Sequence, residues 1–437
     1  MKPRYKRSNE PSNRWRYVTG RIAGLLIMFS FMAGSATFAQ VYPEAYLEEA
    51  LQNNPGILAA QKSYEASLHQ ADITSALPDP ELSAGFFTPP MERLMGNQWF
   101  DVRIMQMFPW FGTLEKRRTV AGYHTEETHH LYRDRRNGLF MEMTRLWLEI
   151  YKKEQQMEVL RQSAEILRKR EDLIYSRYEG GRQDQGIALD IFRMEIEIAD
   201  TENRFEKLVE EKTSLVRSFN ILAGRDETAG IETPDSLPAV TDAAMPSLSG
   251  RDSFENNPRV SMARARTEAA EIGEELSRLA TRPMLGVGLQ YSYFAPGSPA
   301  MGQMDGGHMI MPMVSITLPV FGNKNRATRQ QGMLQAEAEA FRESDQVNIL
   351  HVRYRKLEAE FLNIRRDHDF YQQQLEITRK AMDLVLSGYA AGSEGFDELL
   401  RLHDQVIDLE WRMLEAKVNH HFKLAEMDML LARNIFE

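Results

Sequence analysis

The sequence contains no cysteine. This absence excludes disulfides, thiolate metal sites, cysteine nucleophiles and a lipid attached to an N-terminal cysteine. Proline is also absent over two long stretches, from Trp110 to Thr233 and from Val320 to the C-terminus. Both stretches are rich in glutamate, lysine, leucine and alanine, which favour helices, whereas proline breaks them. Each stretch therefore predicts very long helices.

Motifs of common enzymes are lacking as well. The sequence has no glycine-rich phosphate loop, no His-Glu-x-x-His run and no Gly-x-Ser-x-Gly elbow. Glu126 and His130 stand one helical turn apart within a short His/Glu-rich segment and could share a metal, but a solvated helix face explains them better. We therefore expect no enzymatic activity and no cofactor.

The N-terminus has the order of a secretory signal peptide. Residues 1–21 hold seven Lys or Arg and one acid, an apolar stretch follows at 22–33, and small residues lead to Ala39. This pattern predicts a signal peptide at 1–39, since the apolar stretch is shorter than the roughly 20 residues that a membrane anchor needs. Its removal moves the formal net charge from −10 to −16. An acidic exported protein is a poor candidate for nucleic-acid binding.

Four short motifs occur twice in the same order, at offsets of 203, 203, 210 and 211 residues. The pairs are Asn53-Asn54-Pro55 with Asn256-Asn257-Pro258, Pro80-Glu81-Leu82 with Pro283-Met284-Leu285, Pro109-Trp110-Phe111-Gly112 with Pro319-Val320-Phe321-Gly322, and Tyr178-Glu179-Gly180-Gly181 with Tyr389-Ala390-Ala391-Gly392. Each match is weak alone, but the constant order indicates an ancient duplication.

The duplication predicts one structural repeat at 40–223 and a second at 251–437, joined by a linker at 224–250. Each repeat opens with two short helices on either side of its Asn-Pro pair. In the first repeat we then expect strands at about 81–88 and 99–109, a long helix at 113–178 and a return helix at 186–222. In the second we expect strands at about 284–294 and 309–320, a long helix at 323–389 and a return helix at 395–432.

The strands are predicted from alternation at period two. Leu285, Val287, Leu289 and Tyr291 alternate with glycine and polar residues. The segments 88–98 and 295–308 are rich in turn residues and predict loops. Aromatic residues cluster at the strand ends, as in the girdles of membrane barrels, although cross-strand pairs in a soluble hairpin are the alternative.

Apolar residues of the long helices repeat in steps of four and three, as in coiled coils. At 1.5 Å per residue, helices of this length span roughly 100 Å. Four strands cannot close a membrane barrel, because open edges in lipid leave backbone groups unsatisfied. Three copies would supply twelve strands, an acceptable barrel.

The ordered set of signal peptide, duplicated Asn-Pro start, strand pair, Pro-x-Phe-Gly, giant helix, Tyr-x-x-Gly turn and return helix resembles the TolC / outer membrane efflux protein family. The resemblance covers essentially the whole mature chain. It implies a mainly α fold with a small membrane β part, in which four strands per protomer complete a trimeric twelve-stranded barrel. That barrel would continue into a long α-helical coiled-coil barrel in the periplasm.

The resemblance also implies a function. The homotrimer would be the passive exit duct of a tripartite efflux or type I secretion system, working with a periplasmic adaptor and an inner-membrane pump. It would sit in the outer membrane with a large periplasmic part. Heavy metals, drugs and proteins all stay open as cargo.

By the same resemblance, the two helical turns match the periplasmic tips, where the adaptor docks and the channel closes. The residues carried over are Tyr178, Gly180, Gly181, Gly186, Tyr389, Gly392 and Gly395. Asp397 and Glu398 match the acids of the pore constriction, but Arg401 departs from a second acid one turn later. The alternative is that acids are favoured at any helix N-terminus.

Methionines gather around the second hairpin loop together with one histidine. The set is Met301, Met304, His308, Met309, Met311 and Met313. Thioethers select soft ions such as Cu(I), so this set is a candidate metal site, while methionine as an adaptable apolar filler is the alternative.

Two other functions compete with the channel. An exported periplasmic coiled-coil scaffold or adaptor explains the helices but not two strand pairs placed symmetrically in a duplication. An exported metalloenzyme explains neither feature.

Overall fold

The computed structural model describes residues 43–179, 185–241, 245–248, 250–296, 305–391 and 395–433. The described chain consists of long helices and one four-stranded sheet. The predicted signal peptide lies outside the described residues. Among the residues that are described, no helix is both long and apolar enough to cross a membrane.

The first half of the chain runs from short helices through a hairpin into two long helices. Its elements are α1 Glu44–Asn53, α2 Pro55–Leu68, α3 Gln70–Ser75, β1 Glu81–Arg93, β2 Gly96–Phe108, α4 Thr113–Glu179 and α5 Gln185–Ala223. Helix α4 has 67 residues, so it spans roughly 100 Å.

The second half runs through the same kinds of element. A short 3-10 helix at Arg251–Phe254 precedes α6 Pro258–Leu279, β3 Met284–Ala295, β4 Gly307–Thr317, α7 Gly322–Ala391 and α8 Phe396–Leu430. Helix α7 has 70 residues. One difference between the halves is that α2 and α3 meet at His69 with a break, whereas α6 is a single helix.

The two Asn-Pro motifs have equivalent roles. The Asn54 side chain caps α2 by accepting from the Gly56 and Ile57 amides, and it donates to the Leu222 carbonyl near the end of α5. Asn257 accepts from the Arg259 amide and donates to the Leu430 carbonyl at the end of α8. Each asparagine therefore caps the start of one helix and hydrogen-bonds to the end of a return helix. Proline occupies the first position of each capped helix.

The four strands form an antiparallel sheet in the order β1-β2-β3-β4. The predicted loop at 88–98 is wrong, because β1 and β2 extend through it and only Leu94 and Met95 connect them. Pro89 and Pro90 suggested a loop, but they lie on an edge strand, where proline is tolerated. The pairing register of that strand shifts between Phe86 and Met91. Strand β4, the other edge, accommodates Pro312 and ends at Thr317 rather than 320.

The predicted apolar spacing of the long helices identifies their packed faces. Helix α4 packs on α5, α6 and α8, and α7 packs on α6 and α8. Among the apolar residues of these helices, the buried ones include Met143, Leu146, Ile150, Leu160, Leu167 and Ile174 on α4, and Leu350, Tyr354, Leu357, Phe361 and Leu375 on α7.

Helix α7 also carries an apolar stripe that nothing in the described chain covers. Its exposed members recur on one side along the helix and are Leu334, Phe341, Ile349, Val352, Phe370, Ile377 and Leu384. Helix α5 also exposes three apolar residues, Leu189, Phe192 and Ile196. Exposed apolar surface of this extent marks an interaction surface.

We expect Asn257→Ala to lower the thermal midpoint, because it removes the α6 cap and leaves the buried Leu430 carbonyl without its donor. Loss of a cap costs about 1 kcal/mol, and an unsatisfied buried group costs a further 1–3 kcal/mol or so. Thermal unfolding followed by circular dichroism measures the change. Asn256→Ala is the control, because Asn256 is exposed; equal midpoints for the two variants would contradict the assigned role.

Candidate functional site

The register of the sheet separates an apolar face from a polar one. Rungs of the first face join Leu82, Ile104, Leu289 and Pro312, and then Ala84, Val102, Tyr291 and Ile310. This face is open: Phe86 is 77% exposed and Val314 is 79% exposed. A broad exposed apolar face on an antiparallel sheet is what lipid-facing strands present.

The opposite face is polar and hydrogen-bonded within itself. Its rungs join Gly85, Asp101, Ser292 and Met309, and then Ser83, Arg103, Gln290 and Met311. Arg103 donates to the Gln290 side chain at 3.1 Å, and Gln290 donates to Asp101 at 3.3 Å. Alternation of apolar and polar residues along every strand therefore produces one face suited to lipid and one suited to water.

The structure divides the predicted methionine and histidine set. His308 lies on the apolar face, where its ring stacks on Tyr291 and its Nδ1 is 2.7 Å from the Tyr291 hydroxyl. Met309, Met311 and Met313 lie on the polar face, so His308 cannot join them as a ligand. Met301 and Met304 lie outside the described residues.

The predicted His/Glu segment of α4 does not form a cluster either. His124 contacts Glu127 at 3.2 Å, and Glu127 accepts from Arg266 of α6 at 2.6 Å. Within the part of the chain that the structure describes, no three His, Asp or Glu side chains converge as metal ligands.

The ends of the four long helices meet in one apolar cluster. Tyr178 of α4, Ile187 of α5, Tyr389 of α7 and Phe396 of α8 all contribute to it. The two predicted tips are therefore at the same end of the molecule. Gly180, Gly181 and Gly392 lie outside the described residues, Gly186 is the second residue of α5, and Gly395 precedes α8. Gly395 has φ −83°, so this position does not depend on glycine.

Polar contacts join the α4/α5 hairpin to the α7/α8 hairpin at this end. Tyr389 donates its hydroxyl to Asp190 at 3.1 Å, and Arg193 contacts Asp190 at 3.5 Å and Asp397 at 3.0 Å. Burial raises the pKa of Asp190, while Tyr389 and Arg193 oppose that rise. Asp397, predicted at the pore constriction, is thus paired with a cation of the other hairpin.

Glu398 is paired within its own helix. Arg401 donates to both of its carboxylate oxygens, and these hydrogen bonds lower the pKa of Glu398. The arginine that departs from the family pattern therefore compensates the acid one turn earlier.

Two acids meet between α5 and α8. Burial raises the pKa of Glu197, and the neighbouring Asp404 carboxylate raises it further. Arg204 lies 3.9 Å from Asp404 but bonds Asp200 more closely, at 2.6 Å. A proton shared between Glu197 and Asp404 would hold the two hairpins together, and its loss would make the two carboxylates repel.

A buried histidine joins the same hairpins. His403 of α8 has its Nε2 2.7 Å from Ser163 Oγ of α4. Burial lowers the pKa of His403 to about 4, and Arg170 contributes to the decrease. The difference from the ordinary value of 6.5 corresponds to roughly 3 kcal/mol against protonation in the folded state.

Sequence reasoning missed Asp190, Arg193, Glu197 and His403. Each contributes to contacts between the hairpins, and each lies beside the apolar stripe of its own helix. The available signal was a polar or charged residue interrupting the edge of a coiled-coil stripe.

The folded protein should lose stability as pH falls from above 6.5 toward about 4, because the unfolded chain takes up a proton that buried His403 refuses. We expect His403→Gln to reduce the acid-induced fall of the thermal midpoint between pH 7.5 and 5. Exposed His69→Gln is the matched control. An unchanged pH profile in His403→Gln would refute the assignment.

The pH dependence that Glu197 gives to stability is opposite to that of His403. Because the pKa of Glu197 is raised, the folded state becomes less stable as pH rises above 4.5. Glu197→Gln, which can donate to Asp404 at any pH, should therefore raise the midpoint at pH 7.5 and leave it nearly unchanged at pH 4.5.

We compared the chain with known protein families, protein sequences and solved structures. No protein-family model matches the chain, and no curated protein sequence matches it significantly. Among solved structures, CusC, studied for transmembrane channel formation, has a TM-score of 0.73 and 14% identity over 90% of this chain and 92% of that chain. The outer membrane protein VceC from Vibrio cholerae gives 0.71 and 15% over 90% and 96%.

The open state of the MtrE outer membrane channel from Neisseria gonorrhoeae gives a TM-score of 0.69 and 17% identity over 89% of this chain and 88% of that chain. Likeness at such identities shows the fold, and it confirms the fold that the sequence predicts. The chain has the TolC-like fold of outer-membrane channels.

Proposed function

We propose that the protein is a passive outer-membrane channel that serves as the exit duct of a tripartite efflux or type I secretion system. The observation that carries the proposal is the two-faced sheet: an exposed apolar face, a polar face, and two edge strands. Long helix hairpins of roughly 100 Å continue from it, a length suited to crossing the periplasm.

The protomer is incomplete in a way that copies of itself would repair. Within the described residues, β1 pairs only with β2 and β4 only with β3, and the edges run antiparallel to each other. Three copies joined edge to edge give a closed barrel of twelve strands and leave no open edge in lipid. The exposed α7 stripe and the exposed apolar residues of α5 are further surfaces that neighbouring copies would cover in the same closure.

The joined helix ends form the periplasmic tip of the proposed duct. An adaptor would dock on the turns around Tyr178–Gly186 and Tyr389–Gly395, and an inner-membrane pump would drive the transport. The contacts between Asp190, Arg193, Tyr389 and Asp397 would restrain opening, with Asp397 and Glu398 close to the constriction. The solved MtrE channel is an open state, which supports a tip that can open.

The decisive experiment is conductance in planar lipid bilayers, with the protein purified from the outer-membrane fraction. Discrete channels support the duct. A protein that never reaches the outer membrane would overturn the proposal and favour the periplasmic scaffold.

The tip contacts give a directional prediction. Tyr389→Phe removes the hydrogen bond to Asp190 between hairpins, so we expect more frequent opening or larger conductance. Tyr175→Phe is the matched control, because the Tyr175 hydroxyl bonds Glu195 within one hairpin, at 3.0 Å. Equal conductance of the two variants would show that the Tyr389 contact does not restrain the tip.

The α7 stripe gives a test of assembly. Ile377→Asp places a charge where a neighbouring copy would bury an apolar side chain, so we expect a large loss of trimer in detergent. Gln372→Asp makes the same change of charge at an exposed polar position of α7. Mass measurement by size-exclusion chromatography with light scattering compares them; intact trimers of Ile377→Asp would exclude this surface from the interface.

A further inference from the structure

Two thioether sulfur atoms converge on the polar face of the sheet. Gly286 and Gly288 of β3 carry no side chain, and Met107 and Met105 of β2 stand opposite them in the register. A Cβ added at Gly286 would lie 2.7 Å from the Met107 sulfur and 3.3 Å from the Met105 sulfur. Both sulfur atoms thus lie around one point above a glycine.

A third strand contributes to the same point. The Ser315 hydroxyl of β4 is 3.8 Å from the Met105 sulfur and 4.0 Å from the Met107 sulfur. Glu81 of β1 stands directly opposite Met105, and Met313 of β4 stands opposite Gly288. All these residues share the polar face, at the end of the sheet that joins the long helices.

This donor set has a clear chemical preference. Thioethers are soft ligands that select Cu(I) over hard cations, which prefer oxygen. The hydroxyl of Ser315 is neutral, and Glu81, the register partner of Met105, is the one acidic residue of this set.

We propose that Met105, Met107 and Ser315 form a binding site for a soft monovalent metal cation, Cu(I) or its chemical analogue Ag(I). The methionines that meet here are not the set around the second hairpin loop, since both sulfur ligands come from β2. Placement of three such sites on the inner wall of a duct rests on the proposed function, whereas metal binding by the protomer does not.

The test is titration of the full-length protein in detergent with Ag(I), in chloride-free buffer, by isothermal titration calorimetry. Met105→Leu/Met107→Leu removes both sulfur atoms with nearly conserved volume. Met309→Leu/Met311→Leu is the matched control, because it removes two thioethers from other rungs of the same face. Circular dichroism verifies that both variants fold.

We expect one strong Ag(I) site per chain, weakened at least tenfold (about 1.4 kcal/mol) in Met105→Leu/Met107→Leu and changed less than about threefold in the control. X-ray absorption of bound silver should show sulfur neighbours. Gly286→Ala keeps both sulfur atoms but places a methyl group within 3.3 Å of each of them. This variant should therefore also bind silver more weakly.

Unchanged affinity in Met105→Leu/Met107→Leu, or equal losses in both double variants, would overturn the site and leave the methionines as apolar filler. Channel conductance without silver is measured on the same samples. A protein that binds silver but never reaches the outer membrane would refute the duct alone, and a conducting protein that does not bind silver would refute the metal site alone.

Discussion

Closure of the sheet is the constraint on which the rest of the structure depends. Strands β1 and β4 end the sheet with backbone donors and acceptors, and one face of that sheet is apolar. Lipid cannot satisfy an open edge, and water does not favour the apolar face. In the proposed trimer each protomer would therefore be one segment of a closed wall, and neighbouring copies would also cover the exposed apolar stripe of α7.

Polar contacts, some buried and some exposed, link the two helical hairpins of the protomer. A polar pair in a coiled-coil seam fixes the register of the helices, because its hydrogen bonds form in only one alignment. Ser163 with His403, Asp190 with Tyr389 and Arg193 with Asp397 each join the two hairpins of one protomer. Contacts that depend on protonation at two sites, His403 and Glu197, give this junction opposite responses to acid.

Element boundaries show where sequence patterns succeed. The helices were predicted to within a few residues, because the absence of proline and the four-three spacing act over dozens of residues and average out local noise. The prediction of a loop at 88–98 was wrong because Pro89, Pro90 and Gly96 favour turns locally. In the structure, pairing between β1 and β2 keeps most of that segment extended. Tertiary pairing overrides local preference where the segment is short.

Sequence alone determined the repeated order of elements, the long helices and the alternation that gives the sheet two faces, because these follow from local periodicity. Only the tertiary structure decided which side chains meet. The register placed Met105 and Met107 of β2 opposite Gly288 and Gly286 of β3, with Ser315 of β4 close to both sulfur atoms. Packing of the hairpins paired Asp397 with Arg193, a residue about two hundred positions away in the chain. The physical reason is that contact between distant residues depends on strand register and helix packing, which no local pattern encodes.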